Sequence, residues 1–478
     1  MKQFMRKFAI LLTVLLVMTS GALVSVAAND LSLGSTGTNL GNGATVIDAS
    51  SQPGAGVTQI NNAIKAAGAR SPSSVLISKS YTLSGPVLMN QAGVTLECIN
   101  NGHLTLADGV NNHVIYISAS NTRVTGCTLD GNRTNQTSGF GIKIYGNVNH
   151  VDIDHNQILN TYDNAIDGNN VSYLRVESNR IVNCSQAGHS TINMEMNSRV
   201  TSESSIDIEG NEIDESASRA GGINVASVIP GGAIKYGHID RNTITVGDAG
   251  ATITIGIQLF VPTGATGAVV SNFTVDNNVI TGADKTNTNA WGITLGLVGV
   301  RAADSTIRGN TIRDTRSDCI ESGMSGVTIS GNLCDNTSGI QVPANGVIGD
   351  GIIVTENTIT NGVGDYGQIG VSGARGYALR HVVISNNRIY NCPPTSRAIF
   401  FNGSPTGEIL DSTISGNVIV GRTSGMRMPA IHLNHAVNVS VHDNKVQDWI
   451  GPVHAIQIES TSRGAEVKTN SYKNVSKP

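Results

Sequence analysis

Eleven times between residues 151 and 446 the chain returns to one short pattern, an apolar and polar alternation built round a single asparagine. VDIDHNQI (151–158), LRVESNRI (174–181), IDIEGNEI (206–213), FTVDNNVI (273–280), STISGNVI (412–419) and VSVHDNKV (439–446) are six of them. The recurring residues are Asn156, Asn179, Asn211, Asn242, Asn278, Asn310, Asn332, Asn357, Asn387, Asn417 and Asn444, 22 to 36 residues apart. Self-similarity at such a period is the signature of stacked repeats, in which each unit buries its apolar face on its neighbours.

A second segment of equal regularity lies between these: GIKIYG (141–146), STINMEM (190–196), GGINVAS (221–227), PAIHLNH (429–435) and their equivalents. Both segments alternate apolar with polar residues and are rich in Ile and Val, so both read as short strands with one buried face. The gaps hold Gly, Asn, Asp and Ser and are too short for crossover helices, so they are turns. Strands without crossovers can stack only by coiling, each on its equivalent one coil back, roughly 4.8 Å away. The expectation is an all-β, right-handed parallel β-helix solenoid of roughly 12 coils, with the asparagines bonded along the stack as a ladder. The 55 glycines are then turn chemistry.

A solenoid must cover its ends. VTQINNAIKAAG (57–68) puts Ile60, Ala63, Ile64 and Ala67 at helical spacing, with Thr58 as a candidate N-cap and Gly68 as a stop, and predicts an amphipathic capping helix. The last residues, AEVKTNSYKNVSKP, read as one poor repeat and a polar tail. Residues 1–28 carry Lys2, Arg6 and Lys7, an apolar run from Phe8 to Val17, and small residues ending at Ala27 and Ala28. They read as a signal peptide cleaved after Ala28, leaving one exported domain over 29–478. Without the three basic residues of that leader, 28 basic stand against 35 acidic, a net charge of about −7, which favours neither nucleic acid nor membrane insertion. Six cysteines are too few for a disulfide scaffold in such a chain. They read as small buried residues with one or two bridges, and no close CxxC or CxxH pairing suggests zinc.

The plug helix, the strands SVLISKSYTLSGPVLM and VTLEC, and the step NTRVTGCTLDGNR (121–133) resemble the entry region of the pectin-lyase-like β-helix superfamily. With the asparagine-bearing coils, this resemblance covers nearly the whole mature chain. It implies an extracellular protein acting on polysaccharide, as in polygalacturonases, pectate and alginate lyases, mannuronan epimerases and tailspikes, without choosing among them.

If Ile142, Ile166, Ile192, Ile223 and Ile257 point inward, the next residue on each strand points out. That row runs Lys143, Asp167, Asn193, Asn224, Gln258, Thr294, Glu321, Gln341, Gly370, Phe400, His432, Gln457. A second row two residues on begins Tyr145, Asn169, Glu195, Ala226, Phe260. Charge gathers in the early coils, so the candidate catalytic residues are Asp167, Glu195, Lys143, Tyr145 and His189, and the candidate substrate contacts Asn193, Asn224, Asn169 and Asp163. Asp167 and Glu195 fall about 8 Å apart at Cα, a separation that suits a glycosidase carboxyl pair. Read singly, each has a plainer role: an acid on a strand face is commonly only solvated, Asp163 would hold its turn, and His189 would be an exposed turn histidine.

Hydrolysis would use one carboxyl as general acid and the other as base or nucleophile. The lyase or epimerase alternative would have Lys143, His189 or Tyr145 take the proton beside a uronate carboxylate, with calcium or another cation neutralising it. YDNAIDGNN (162–170) resembles the epimerase stretch that carries the catalytic Asp, mapped to Asp167, but has Asn169 where that stretch has His. The segment 318–342 resembles the polygalacturonase site but has Ser317 in place of one Asp and Ser338-Gly339 in place of its His motif. Only 19 of 478 residues are Phe, Tyr or Trp, which favours the rival reading of a non-catalytic adhesion solenoid. A groove on the outward face at residues 143–224, walled by the loops 198–205 and 228–236, would favour the enzyme.

Overall fold

A computed structural model describes residues 45–477 apart from 187, 198–204, 248–252, 263, 284–288, 297–303, 345–348, 365 and 423–424. The residues expected to form a leader, 1–28, lie outside the described residues, as does most of the loop 198–205.

Among the described residues three long sheets contain 16, 14 and 15 strands, and every neighbouring pair within them is parallel. One coil supplies one strand to each sheet, for example Ile142–Ile144, Val148–Asp154 and Gln157–Leu159. The chain is therefore a right-handed parallel β-helix. It has more coils than the roughly 12 expected, because the first coils and the last lie beyond the eleven repeats that carry the pattern. The polar tail also pairs: Glu466–Lys468 and Ser471–Val475 add a final strand to two of the sheets, with Val441 opposite Val467 and Val446 opposite Tyr472.

The asparagine segment is not one strand but two, on different sheets. The residue before the asparagine is left-handed, as at His155 (φ 55°), Ser178 (54°), Gly210 (63°) and Arg241 (53°), and this ends one strand before the next begins. The asparagine seals that corner. Asn156 donates both its backbone N–H and its Nδ2 to Asn179 Oδ1, each at 3.0 Å, and donates Nδ2 to Val124 O at 2.9 Å. The same arrangement repeats from coil to coil and ends on Asn470, one rung beyond the sequence pattern. At the other end Cys127 occupies the rung and donates its N–H to Asn156 Oδ1. The ladder amides are almost wholly buried, so their paired bonding avoids the cost of desolvated, unsatisfied groups.

Inside, isoleucine stacks on isoleucine: Ile142, Ile166, Ile192, Ile223, Ile257 and Ile293 are successive register partners on the 14-stranded sheet, all fully buried. The helix spans Val57–Gly68 and buries Ile60, Ala63, Ile64 and Ala67 against the first strands, Thr45–Asp48, Ser73–Ile77 and Val87–Met89. Its N-cap is Gly56, whose positive φ of 54° turns the chain into the helix. Thr58 lies inside the first turn, so it does not cap the helix. Cys98–Cys127 and Cys319–Cys334 form bridges between neighbouring coils or corners, while Cys184 and Cys392 are buried thiols.

Candidate functional site

The 14-stranded sheet presents the outward row in the expected register, with Lys143 opposite Asp167, then Asn193, Asn224, Gln258, Thr294, Glu321, Gln341, Gly370, Phe400, His432 and Gln457. Parallel, in-register pairing turns one alternation into a continuous line of side chains.

At its first coils the row is a closed hydrogen-bonded chain. Lys143 Nζ pairs with Asp167 Oδ2 and donates to Asn169 Oδ1 at 2.7 Å. Asn193 Nδ2 donates to Asp167 Oδ1 at 2.8 Å, and Asn224 Nδ2 to Asn193 Oδ1 at 2.7 Å. Lys143 also lies over the Phe140 ring, 4.7 Å from its centroid. Asp167 is 4% exposed, so it is not the solvent-facing acid that the alternation implies: both its oxygens are engaged, and one is neutralised by an ammonium. Burial, with Lys143 nearby, holds the neighbouring His113 below the ordinary histidine range. Asp163 does not bond its own turn. It accepts from Gly139 N at 2.8 Å and from Gln186 Nε2 at 2.9 Å, tying its corner to the previous coil and to the next.

Glu195, diagonal to Asp167 and opposite Asn169, is half-buried, and His189 is exposed. Both line an open cleft of about 310 Å³ with Asn193, Asn224, Gln258 and Phe260. Val228 is part of its wall. The cleft overlaps the expected groove at Asn193 and Asn224 and runs on to Gln258 and Phe260, while Lys143, Tyr145 and Asp167 are not among its lining residues. Tyr145, at the end of its strand, is 53% exposed. The structure thus gathers Glu195, His189, Asn193 and Asn224 at one cleft, with Lys143, Asp167 and Asn169 as the polar chain beside it.

A second cleft of about 310 Å³ lies further along the helix, lined by Asp318, Ser338, Gln341, Gly364 and Tyr366. Burial, reinforced by the negative charge of Glu321, pushes Asp318 from 3.8 up to about 7. Glu321 is opposite Gln341 on the outward row, and Gln341 Nε2 donates to Gly367 O at 2.8 Å. The Gln341 amide fills the space over Gly370: a Cβ there would lie 2.0 Å from Gln341 Oε1. Tyr366 is 43% exposed and packs on Phe400 at 5.2 Å. Arg397 covers the Phe400 ring at 4.1 Å, and its Nε donates to His432 Nδ1 at 2.8 Å. The other ring nitrogen of His432 faces Glu459 Oε1 at 2.8 Å. Burial holds His432 below the ordinary histidine range, so its ring is neutral, accepting at Nδ1 and donating at Nε2.

Sequence reasoning set this second site aside because the residues flanking Asp318 depart from the polygalacturonase pattern. The signal available was chemical: Asp318 and Glu321 are the carboxyl groups at the start of a strand, one of them on the outward row. Among the described residues no group of three or more His, Cys, Asp or Glu side chains is placed to hold a metal ion.

No family model and no curated protein sequence matches the chain. Solved structures do. A point mutant of the tailspike protein of E. coli bacteriophage HK620, in complex with a pentasaccharide, aligns over 87% of this chain and 78% of its own, with a TM-score of 0.57 at 13% identity. The tailspike protein itself, also with pentasaccharide, aligns over the same shares with a TM-score of 0.54 at 13% identity. The A-module of a mannuronan C-5 epimerase from Azotobacter vinelandii covers 88% of this chain and 100% of its own at a TM-score of 0.47 and 14% identity. The chain has the parallel β-helix fold. On this β-helix both clefts open along one sheet, and the polar row joins their strands in a single register.

Proposed function

We propose that the protein is an exported glycoside hydrolase that seats a polysaccharide on the outer face of the 14-stranded sheet and cleaves it at the second cleft. The observation that carries this reading is Asp318, a carboxyl lining a cleft beside an exposed tyrosine, raised first by burial and then by the charge of Glu321, which is itself buried three residues on. A carboxyl held near 7 is about half protonated in neutral solution, so it can donate that proton, while a neighbouring carboxylate supports the opposite charge. Asp318 gives its proton to the glycosidic oxygen as the bond from that oxygen to the anomeric carbon breaks. Glu321 either takes a proton from the attacking water, which returns to Asp318 through solvent, or attacks the anomeric carbon first, in which case the Asp318 carboxylate deprotonates the water that displaces it. Either way one product ends in a hemiacetal and the other in a hydroxyl, and both carboxyls are restored. Tyr366 supplies a flat apolar surface for a sugar ring.

The first cleft then serves binding. Asn193 and Asn224, oriented by the Lys143–Asp167 pair, face sugar hydroxyls, with Glu195 and His189 at the wall. The leader-like residues 1–28, the structural likeness to a tailspike bound to pentasaccharide and the polar outward row all support this reading.

The test is incubation with a panel of neutral and uronate polysaccharides, following reducing ends and the ultraviolet absorbance of unsaturated products together. Reducing ends without absorbance are expected. D318N and E321Q should each slow release at least about 100-fold, whereas E195Q should act mainly on KM. Full activity in D318N with loss in E195Q would move the acid to Glu195. Rising absorbance would mean elimination, and silence across the panel would favour an adhesion solenoid.

A further inference from the structure

Where the chain turns from the 14-stranded sheet into the 16-stranded one, it passes through a left-handed residue on coil after coil. Asn121 (φ 57°), His150 (54°), Tyr173 (58°), Asn272 (56°), His381 (48°) and Asp411 (47°) hold this position, and glycine holds it at Gly326 and Gly351. Gly, Asn, Asp and His are the residues that tolerate this region, the polar ones because a short side chain can bond locally. Tyr173 has no such compensation. The residue is 48% exposed, so about half of it lies in solvent, and its ring contact is a stack on His150 with centroids 4.9 Å apart and planes 17° from parallel. His150 is itself steadied by Asn149 Oδ1, 3.0 Å from its Nδ1. A bulky residue kept in a costly conformation while about half in solvent is the pattern of a functional constraint.

The position adds to this. Tyr173 follows Asn169, the register partner of Glu195, by four residues, so it lies within about 14 Å of chain reach from the first cleft. Val171, two residues before it, lines the same small hollow as Glu195. Tyr145, 53% exposed, ends the strand of the preceding coil. Five coils, about 24 Å, separate the Asp167 strand from that of Glu321.

We infer that Tyr173, stacked on His150, is a sugar-binding platform at the margin of the first cleft, holding a pyranose ring of a long chain far from the carboxyl pair. The apolar C–H face of a pyranose covers a tyrosine ring. This rests on the hydrolase reading for its ligand, and it adds that the protein grips a polymer at a second point, distinct from where the chain is cut.

The test uses the full chain and the panel of neutral and uronate polysaccharides, each embedded in native gels. It compares wild type with Y173N, Y173F and H150N, and adds thermal unfolding and turnover of a short oligosaccharide. Asparagine suits the backbone at this corner, so Y173N should melt higher than wild type. It should bind the polymer at least about fivefold more weakly and turn over the short oligosaccharide unchanged. Y173F, which keeps the ring, should bind as wild type, and H150N should fall between. Polymer retention by Y173N equal to wild type would overturn the platform and leave the hydrolase reading intact. Retention of wild type with no cleavage of any substrate would overturn the hydrolase reading alone, and a wild type that is neither retained nor active on any polysaccharide would overturn both.

Discussion

Glu215 shows how far burial can move one group inside this coil. It is fully buried, its oxygens accept from Cys184 N at 2.9 and 3.2 Å, and Ser218 Oγ bonds Oε2. Burial pushes its carboxyl from 4.5 up to about 8, against the hydrogen bonds of Ser218, Thr191 and Cys184 and the charge of Arg133. Because the folded value is the higher one, folding is favoured fully below about 4.5, and that contribution is lost as pH rises through about 8. E215Q, uncharged throughout, should therefore leave stability near wild type at pH 4 and raise it by a few kcal/mol above pH 8, as read by urea unfolding at the two pH values. Asp318 follows the same sign at the candidate site: turnover should fall as pH rises through about 7, and D318N should flatten the alkaline loss of stability while abolishing turnover. Neither shift was legible in the sequence. Alternation places Glu321 on the outward row, but the depth of Asp318 and the sealing of Glu215 depend on coils far away in the chain. Asp167 failed as an exposed acid for the same reason, since its partner Lys143 is 24 residues earlier and meets it only through the register of the sheet.

The ladder is the element whose energetics the repeat predicts most directly. Asn310 donates its backbone N–H and Nδ2 to Asn332 Oδ1, both at 2.9 Å, and Nδ2 to Val275 O at 2.7 Å, while its own Oδ1 accepts from Asn278 N and Nδ2. N310A keeps the backbone N–H but leaves the buried backbone N–H of Asn278 without its acceptor, while Asn278 Nδ2 keeps Ile239 O and Asp276 O, and it takes one donor each from Asn332 Oδ1 and Val275 O. The expected loss is about 3 kcal/mol, given roughly 1–3 kcal/mol for the unsatisfied buried donor and the lost hydrogen bonds besides. N470A, at the half-buried end of the stack, should lose about 1 kcal/mol. Chemical denaturation of the two variants checks the contrast, and equal losses would mean that the ladder adds no more at its centre than at its frayed end. The asparagine spacing revealed the ladder because side-chain amides on equivalent corners must meet. It did not reveal that each asparagine separates two strands. That follows from the left-handed residue before it, and the sequence marks that residue with glycine in only some coils, as at Gly210, Gly309, Gly331 and Gly416.

At the scale of the molecule, coils that touch only their neighbours leave two ends to be closed, and the two are closed differently. The last coil is polar, with Val467 and Tyr472 only part covered, whereas the first is sealed by the helix through Ile60 and Ile64, both without exposure. The apolar periodicity of 57–68 made that cap readable from sequence, since four buried positions on one helical face have only a core to meet. If the helix is a cap and not an appendage, its apolar face protects the ends of three sheets, whose unpaired strand groups are otherwise free to pair with another chain. I64D sets a carboxylate where nothing in the apolar surroundings can pair with it, and with the lost packing should cost about 3–5 kcal/mol. Because stability in a solenoid is transmitted only between neighbours, the damage should be local. Hydrogen exchange should quicken in the strands from Thr45 to Cys98 while the ladder amides from Asn242 to Asn417 keep their protection, and light scattering should show association growing with concentration. Uniform loss of protection along all coils would instead mean that the β-helix unfolds as one cooperative unit and that the cap has no separate role.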